Sequence, residues 1–524
     1  MTNNDIVQKL WNLCDVLRDD GINYSDYVTE LVLLLFIKMV HENTEAGTLK
    51  KHPLPEGCRW TDLNTKSGIN LLNDYKRILL SLSTGKDANG TLVHEDLLIS
   101  AIYADAQTRL REPRHLEQII KRFDEIEDWF NVSNDGLGDL YEGLLEKNAS
   151  ETKSGAGQYF TPRALINSMV RCLKPQPGEV IQDPAAGTAG FLVAADQYMR
   201  NQTDDYFDLD RKQANFQKNK AFIGVELVPN TRRLALMNCL LHGMEGDAEG
   251  VVHLGNALGD AGKSLAQADI ILANPPFGTS KGGDASNTRD DLTYKTSNKQ
   301  LAFLQHIYRN LKPGGRAAVV LPDNVLFEAG VGTEVRKDLM NKCNLHTILR
   351  LPTGIFYAQG VKTNVLFFTK GTAKNPKQEE NCTQNVWVYD LRTNMPNFGK
   401  RTPFGDNHLT PFEKVYGKKP DGTSKRTEGE YSFGAEDIEV DTQATEENQG
   451  IDNQLAHSRW RCFSRDWIQD TKNDSLDISW LKDKDAVDAA NLPEPEELAR
   501  EAKAELEAAL SELDGLLAAL EGVK

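Results

Sequence analysis

Residues 268–280 read ADIILANPPFGTS, and the interpretation of the whole chain begins there. An apolar run at 270–272 ends abruptly in Asn274-Pro275-Pro276-Phe277. Two consecutive prolines cannot continue a central strand or enter a helix smoothly, because they lack N–H donors and restrict the backbone. The stretch therefore predicts a buried strand that stops at a rigid corner carrying an amide and an aromatic ring.

Further short apolar runs alternate with helical patterns from about residue 157 onward. They lie at 180–181, 222–223, 251–252, 317–321, 347–351 and 364–368. This alternation predicts an α/β fold, with a mostly parallel sheet covered by helices on both faces. Ligands on such sheets bind beyond the carboxyl ends of the strands, so the residues that follow each run are the candidate site.

Three runs are followed by residues that suit a nucleotide-like ligand. The first leads from Asp183 into the small residues PAAGTAG, which let backbone N–H groups approach a ligand at the start of a helix. The second ends at Glu226, which could accept both ribose hydroxyls, and the third leads to Asn256, whose amide could read an adenine edge. The alternatives are a plain tight turn, a solvated acid and a turn-forming asparagine.

Asn274 and Pro275 offer two acceptors side by side, a side-chain carbonyl and a backbone carbonyl directed by the Pro276 ring. Such a pair suits an exocyclic NH2 group, whose lone pair is delocalised into its ring. Holding both hydrogens favours a more tetrahedral nitrogen and stabilises the positive charge that develops during attack. Phe277 offers a flat face for a base. The alternative is a rigid turn with a core phenylalanine.

Composition limits the class of protein. The chain has 524 residues, 40% of them hydrophobic, and a net charge of −17, which argues against a long nucleic-acid footprint on this chain alone. The seven cysteines are scattered without zinc-like spacing, so we expect reduced thiols and no metal site. No apolar run is long enough to span a bilayer, and we expect a cytoplasmic protein that does not bind membranes.

The chain divides into four predicted regions. Residues 1–150 are expected to form an all-helical N-terminal domain, and 151–424 the catalytic domain. Residues 425–475 are expected to be an acidic linker and packing segment, and 476–524 a C-terminal helical segment. The C-terminal segment carries an a/d seam made of Leu506, Leu510, Leu513, Leu517 and Leu520. The seam must bury against this chain's own catalytic domain or against another subunit.

The residues at the strand ends together resemble the amino-methyltransferases that use S-adenosylmethionine, whose signature is (D/N/S)-P-P-(Y/F/W). SGAGQYFTPRALINSMV (154–170) is similar to the Phe-Thr-Pro segment of adenine-N6 DNA methyltransferases of the gamma motif order. LWNLCDVLRDDGINYSDYVTELVLLLFIKM, TSNKQLAFLQHI and RLPTGIFYAQGVKTNVLFFTKG look like the modification (methylation) subunit, HsdM, of type I restriction–modification systems, closest to the type IA branch. The resemblance covers essentially the whole chain.

This resemblance implies a Rossmann-like S-adenosylmethionine-dependent methyltransferase domain and gives roles to single residues. The cofactor-binding residues that it implies are Gln158, Tyr159, Phe160, Thr161, Pro162, Arg163, Asp183, Thr188, Ala189, Gly190, Glu226 and Asn256. Within this set the Thr161 hydroxyl would lie near the methionine carboxylate and Asp183 would face the ammonium. The target adenine would be held by Asn274, Pro275, Pro276 and Phe277.

The resemblance also implies partners and a biological role. A specificity subunit (HsdS) would join two such chains and choose a bipartite DNA site, and a motor-nuclease subunit (HsdR) would complete the complex. Methylation of a flipped adenine in double-stranded DNA would protect host DNA from cleavage during phage defence. The same tetrapeptide also serves protein-glutamine and rRNA guanine-N2 methyltransferases, since their NH2 groups pose the same problem. A non-enzymatic scaffold, the remaining alternative, would bind no cofactor.

Overall fold

A computed structural model describes residues 3–22, 26–47, 49, 51–126, 143, 161–278, 289–356, 361–396, 398–399, 402–432, 439–441 and 443–482. Several sequence predictions fall outside these ranges. They are the domain boundary at 150/151, the cofactor residues Gln158, Tyr159 and Phe160, and the leucine seam at 506–520.

The N-terminal region is helical, as predicted. Its helices are α1 (Asn3–Trp11), α2 (Cys14–Asp19), α3 (Tyr27–Glu45), α4 (Trp60–Leu63), α5 (Gly68–Thr84), α6 (Leu97–Ile102) and α7 (Pro113–Asp124). Every residue from 31 to 37 in α3 is buried, because a helix that is apolar nearly all round needs neighbours on every side. Within the ranges given above, no helix combines the length and apolarity that a membrane span requires.

The catalytic region is built, in the described part of the chain, on a nine-stranded sheet. The strands of the structure are β1 (Ile181–Asp183), β2 (Phe222–Glu226), β3 (Val252–Leu254), β4 (Ala268–Ala273), β5 (Leu311–Pro322), β6 (Cys343–Arg350), β7 (Thr363–Lys370), β8 (Asn385–Asp390), β9 (Glu439–Val440), β10 (Trp460–Ser464) and β11 (Leu481–Lys482). The order across the large sheet is β10-β8-β6-β7-β5-β4-β1-β2-β3. Only β7 and β10 run antiparallel to their neighbours in this sheet, so the predicted, mostly parallel sheet is confirmed.

Helices cover both faces of the sheet. The helices after α7 are α8 (Arg163–Leu173), α9 (Gly190–Gln202), α10 (Arg211–Asn219), α11 (Pro229–Leu241), α12 (Asp260–Lys263), α13 (Lys299–Asn310), α14 (Asn324–Phe327), α15 (Val331–Lys342), α16 (Asp406–Tyr416), α17 (Thr445–Asn448), α18 (Asn453–Ala456) and α19 (Arg465–Asp470). In β4, Ile270 and Leu272 pack into the core that contains α8 and α9, whereas Ile271 and Ala273 pack into the core that contains α13 and α15. This alternation is that of a sheet buried on both faces, and it confirms the α/β class.

The N-terminal helices contact the sheet region through α11. Arg233 of α11 is buried, and its Nε donates to the Ile102 carbonyl at the end of α6 at 2.9 Å. A second guanidinium nitrogen donates to the Ala104 carbonyl. Helix α11 follows directly on β2, which ends at Glu226, the residue predicted to bind the ribose. The N-terminal helices therefore pack on the helix next to this residue.

Two segments differ from the predicted division of the chain. Residues 425–475 were expected to be an acidic linker and packing segment, but β10 in this range forms an edge strand of the large sheet. Its Trp460 stacks on Trp387, with the two ring centroids 5.0 Å apart. Residues 476–482, expected to start the C-terminal helical segment, contain no helix and end in β11, which pairs with β9. Burial of two tryptophans explains both, since Trp460 and Trp480 have no exposed surface.

Candidate active site

The predicted ligand residues converge on one edge of the sheet. β4, β1, β2 and β3 are neighbours in that order and run parallel, so their carboxyl ends meet at the same edge. Asp183 and Glu226 are the last residues of β1 and β2, and Asn274 and Asn256 lie just after β4 and β3. The structure thus brings together residues that lie far apart in the sequence, at the edge where such sheets bind ligands.

The glycine turn after β1 is held by the acid at the end of β2. The Gly187 N–H donates to Glu226 Oε2 at 3.0 Å, and the Val228 N–H donates to Oε1 at 2.8 Å. Gly224 allows this approach, because a Cβ there would lie 2.9 Å from Ala186 Cβ. The turn and the acid therefore form one wall, and each carboxylate oxygen keeps a further lone pair for a ligand.

Helix α9 begins beside this wall. Its N-cap residue Ala189 has a φ of +67°, and among the described residues no side chain caps the helix. The first N–H groups of a helix lack intrahelical partners and carry partial positive charge. Behind the turn, the buried Asn238 of α11 donates its Nδ2 to the Thr188 carbonyl at 3.0 Å. Thr188, Ala189 and Gly190 thus form a turn at a helix start, where partial positive charge suits an anionic group; the Ala189 N–H itself donates to the Ala186 carbonyl at 2.7 Å.

Asp183 lies buried at the centre of the edge. Its side chain accepts from the Ala185 N–H at 2.9 Å. Burial raises the pKa of Asp183 to about 8; the Ala185 hydrogen bond opposes this effect and the charge of Glu226 adds to it. Burial likewise raises the pKa of Glu226, against the hydrogen bonds from Val228 and Gly187. A cationic ligand beside Asp183 would favour its ionised form.

Asn274 is joined to the segment that precedes α8. Its Nδ2 donates to the Thr161 hydroxyl at 2.9 Å, and Thr161 is only 7% exposed. Because the amide nitrogen is turned toward Thr161, the amide oxygen points the other way. The Thr161 hydroxyl thus accepts from Asn274, and its contact with the cofactor carboxylate, which the resemblance implies, stays a prediction. Pro162 and Arg163 follow, and Arg163 donates to Gln197 of α9 at 2.7 Å.

Phe277 is half-buried and makes an edge-on contact with Phe356. The two ring centroids are 6.3 Å apart at an interplanar angle of 72°. Phe356 is buried, so it supports Phe277 while part of the Phe277 ring stays accessible. Phe356 was not among the residues predicted from the sequence; the signal for it was an aromatic residue in the segment LPTGIF that follows β6.

Asn256 supports a turn at the end of β3. Its Oδ1 accepts from the Leu258 N–H at 2.9 Å, which is the turn-forming role that the sequence left as an alternative. A contact between Asn256 and a ligand adenine stays a prediction.

Exposed apolar side chains beside Glu226 were missed in the sequence. Leu227 is 63% exposed, and Leu254 of β3, which pairs with Glu226 in register, is 48% exposed. Large apolar residues that meet at the end of two adjacent strands offer a surface for a flat ring. The signal was the apolar pair that follows the acid in VELVPN, where a solvated loop would be polar.

Comparisons with known proteins relate the chain to DNA methylases. The family model described as N-6 DNA Methylase matches residues 132–462, and the HsdM N-terminal domain model matches residues 6–123. The type I restriction enzyme EcoKI methylase subunit of Escherichia coli (strain K12) is 58% identical over 523 residues, which are 99% of this chain and 95% of that protein. The StySPI methylase subunit of Salmonella potsdam is also 58% identical, with the same coverage.

A solved structure extends the similarity to the fold. The crystal structure of the EcoKI M protein matches with a TM-score of 0.61 and 54% identity, covering 98% of this chain and 96% of that one.

Proposed function

Because this chain belongs to the N-6 DNA methylase family, among the methylase subunits of type I restriction–modification systems, we propose that it methylates a flipped adenine of double-stranded DNA at N6, with S-adenosylmethionine as the methyl donor. The enzyme is an adenine-specific DNA methyltransferase. The observation that carries the finer proposal is the corner after β4, where the Thr161 hydroxyl accepts from the amide nitrogen of Asn274 at 2.9 Å.

The described residues at the sheet edge fit S-adenosylmethionine. Glu226 suits the ribose hydroxyls, and the exposed Leu227 and Leu254 suit the adenine ring. Asp183, whose ionised form is disfavoured without a cation, suits the ammonium of the methionine part. The start of α9 suits the carboxylate. When bound, the cofactor supplies an electrophilic methyl group on a sulfonium.

On the target side, Asn274 and Pro275 accept the two hydrogens of the adenine amino group. The fixed amide favours a geometry in which the nitrogen lone pair is available, and it stabilises the positive charge that develops on the nitrogen. The accessible part of Phe277 stacks on the flipped base, while Phe356 keeps the ring in place. Preorganised acceptors of this kind act without reorganising during the reaction.

Site choice requires a further subunit in this proposal. The chain carries a net charge of −17, so a basic partner supplies most of the DNA-reading surface. We assign that role to a specificity subunit (HsdS) joined by two copies of this chain, and cleavage of unmodified DNA to a motor-nuclease subunit (HsdR). The leucine seam at 506–520 is the proposed contact with the specificity subunit. A chain that lacks 494–524 should then bind S-adenosylmethionine but fail to co-purify with that subunit.

The deciding experiment is methyl transfer by the full chain assembled with its specificity subunit. Methyl-tritiated S-adenosylmethionine is offered with unmethylated chromosomal DNA, rRNA or protein, and the product nucleosides are separated by mass spectrometry. We expect N6-methyladenine in DNA, and none with Asn274→Ala. Label in rRNA or protein alone would overturn the proposed substrate. Protection of host DNA is tested by exposing DNA methylated in this way to the complete nuclease complex, which should leave it uncut.

A further inference from the structure

Arg392, two residues beyond β8, joins the ends of three other strands. Its Nη1 and Nη2 lie 2.7 and 2.8 Å from the two carboxylate oxygens of Asp323, which follows β5. Its Nε donates to the Leu351 carbonyl after β6 at 3.0 Å, and Nη2 also donates to the Thr363 carbonyl at the start of β7 at 2.8 Å. One guanidinium therefore holds the loop after β5 and both ends of the connection between β6 and β7, on the edge that carries the site.

The ion pair between Arg392 and Asp323 is largely buried, which strengthens it. The side chains of Arg392 and Asp323 are 9% and 19% exposed. Burial alone would raise the pKa of Asp323, but the hydrogen bonds and charge of Arg392 lower it below the usual value. Asn364 adds a hydrogen bond to the same carboxylate at 2.7 Å. A bidentate ion pair in such surroundings has a defined geometry that a lysine cannot reproduce.

Arg392 is connected to Phe277 and Phe356, the aromatic pair of the site, through Leu351. The Leu351 N–H donates to the Thr363 carbonyl at 3.0 Å and its carbonyl accepts from Arg392, so the loop 351–356 starts from a residue held on both sides. Phe356 follows in the same connection between β6 and β7, is buried, and makes an edge-on contact with Phe277. One stretch of chain, 351–356, therefore connects the residue that Arg392 holds to the ring that contacts Phe277.

We propose that Arg392 is a positioning residue for the target-base side of the site, acting through Leu351 and Phe356 on Phe277. This rests on the proposed function, since it takes Phe277 to hold the adenine. Arg392 itself does not touch substrate in this proposal. Its loss should lower the rate of methyl transfer without changing cofactor binding, because the loops it holds follow β5 and β6, away from Asp183 and Glu226.

Arg316 provides a matched control. Its Nη1 and Nη2 lie 2.7 and 3.0 Å from the two carboxylate oxygens of Glu179, and it donates to the carbonyls of Leu173 and Lys174 at 2.6 and 2.9 Å. Its side chain is 10% exposed. It is level with Ile270 in the sheet, about 13 Å along β4 from Asn274 at the usual rise per residue. It therefore makes the same kinds of bonds away from the site.

The test compares Arg392→Lys with Arg316→Lys in the full chain assembled with its specificity subunit. We expect Arg392→Lys to lower kcat by ~10–100-fold, the range produced by small misplacements of reacting groups, with an unchanged Kd for S-adenosylmethionine by calorimetry. Arg316→Lys should keep wild-type kcat even if its thermal stability falls as much as that of Arg392→Lys. Equal kcat values in the two variants, or a loss of cofactor affinity in Arg392→Lys, would overturn the inference.

A second variant covers the case in which Arg392→Lys does not fold. Phe356→Leu should show the same pattern, a lower kcat with unchanged cofactor binding, and full activity in this variant would contradict the proposed route. If both variants fold, their combination should be non-additive, because they break one chain of contacts. Additive losses would also count against it. A wild-type enzyme that makes no N6-methyladenine would instead overturn the proposed function.

Discussion

The amide nitrogen of Asn274 donates to the Thr161 hydroxyl at 2.9 Å, which ties the segment before α8 to the corner after β4. The two residues lie 113 positions apart in the chain. The resemblance implies that the same segment contacts the cofactor. The Thr161 hydroxyl therefore lies between the cofactor side and the target-base side of the proposed site. Two roles for Thr161, toward the cofactor and toward Asn274, can be separated by measurement.

The first prediction distinguishes these roles. Thr161→Val keeps the shape and removes the hydroxyl, so Asn274 loses the bond that fixes its amide. A lost hydrogen bond of about 0.5–1.5 kcal/mol should lower the single-turnover rate of methyl transfer several-fold. Thr161→Ser, which keeps the hydroxyl, is the control and should stay near wild type. If Thr161→Val weakens S-adenosylmethionine binding and leaves the rate at saturation intact, the role toward the cofactor carboxylate is the correct one.

The second prediction concerns the ring at the corner. Phe277→Ala removes the stacking surface and leaves Phe356 without its partner. Base–aromatic stacking contributes ~1–3 kcal/mol, so we expect methyl transfer to fall by about 5- to 150-fold while cofactor affinity is kept. Phe277→Tyr, which preserves the ring, should retain most of the activity. Steady-state rates and calorimetry on both variants decide this, and an active Phe277→Ala enzyme would remove Phe277 from the site.

The third prediction follows from the pKa of about 8 at Asp183. Below that pH the carboxyl group of the free protein is largely protonated, and a bound ammonium would favour its ionised form. Cofactor binding at pH 7 should therefore release protons, and cofactor affinity should rise with pH until Asp183 is ionised without ligand. Calorimetry in buffers with different ionisation enthalpies measures the proton count. Asp183→Asn should abolish the release; the same release in that variant would assign it to another group.

The fourth prediction concerns Glu226, whose two oxygens already accept from Gly187 and Val228. Glu226→Ala should weaken S-adenosylmethionine binding by ~1.5–3 kcal/mol, the range for hydrogen bonds to a charged group. Glu226→Gln keeps one acceptor oxygen and should lose less. Equilibrium dialysis compares the three proteins, with circular dichroism to check that the turn after β1 has not unfolded. An unchanged Kd in a folded Glu226→Ala protein would contradict the ribose assignment.

The sequence predicted those parts of the fold that depend on local pattern. The apolar runs before Asp183, Glu226 and Asn274 marked three adjacent strands, because strands buried on both faces are continuously apolar. β10 was missed because it contains Arg461, which is buried but looks like a solvent-facing residue in the sequence. Its burial depends on Asn448 and the Glu447 carbonyl, which accept from its guanidinium.

Contacts between distant segments were beyond the sequence for a different reason. The pair of Arg392 and Asp323 joins residues 69 positions apart, and it depends on β7 running antiparallel between β5 and β6. An apolar run indicates a strand but not its direction, so these loops could not be placed together in advance. The candidate ligand-binding residues could be predicted because the carboxyl ends of parallel strands share an edge. The residues that orient them could be predicted only from the strand order.

The fifth prediction concerns Leu227, whose exposure beside Glu226 was recognised only in the structure. It is 63% exposed, so Leu227→Ser should change the free energy of unfolding by no more than about 0.5 kcal/mol. If the cofactor adenine covers Leu227, the same change should weaken S-adenosylmethionine binding by ~1–2 kcal/mol through lost apolar burial. Phe207 is the matched control, because it is 82% exposed and lies in the segment between α9 and α10, past the end of α9 remote from the glycine turn. Phe207→Ser should leave both stability and binding unchanged. Equal binding by the Leu227 variant and wild type would place the adenine elsewhere, whereas equal losses in both variants would indicate an effect that is not specific to this edge.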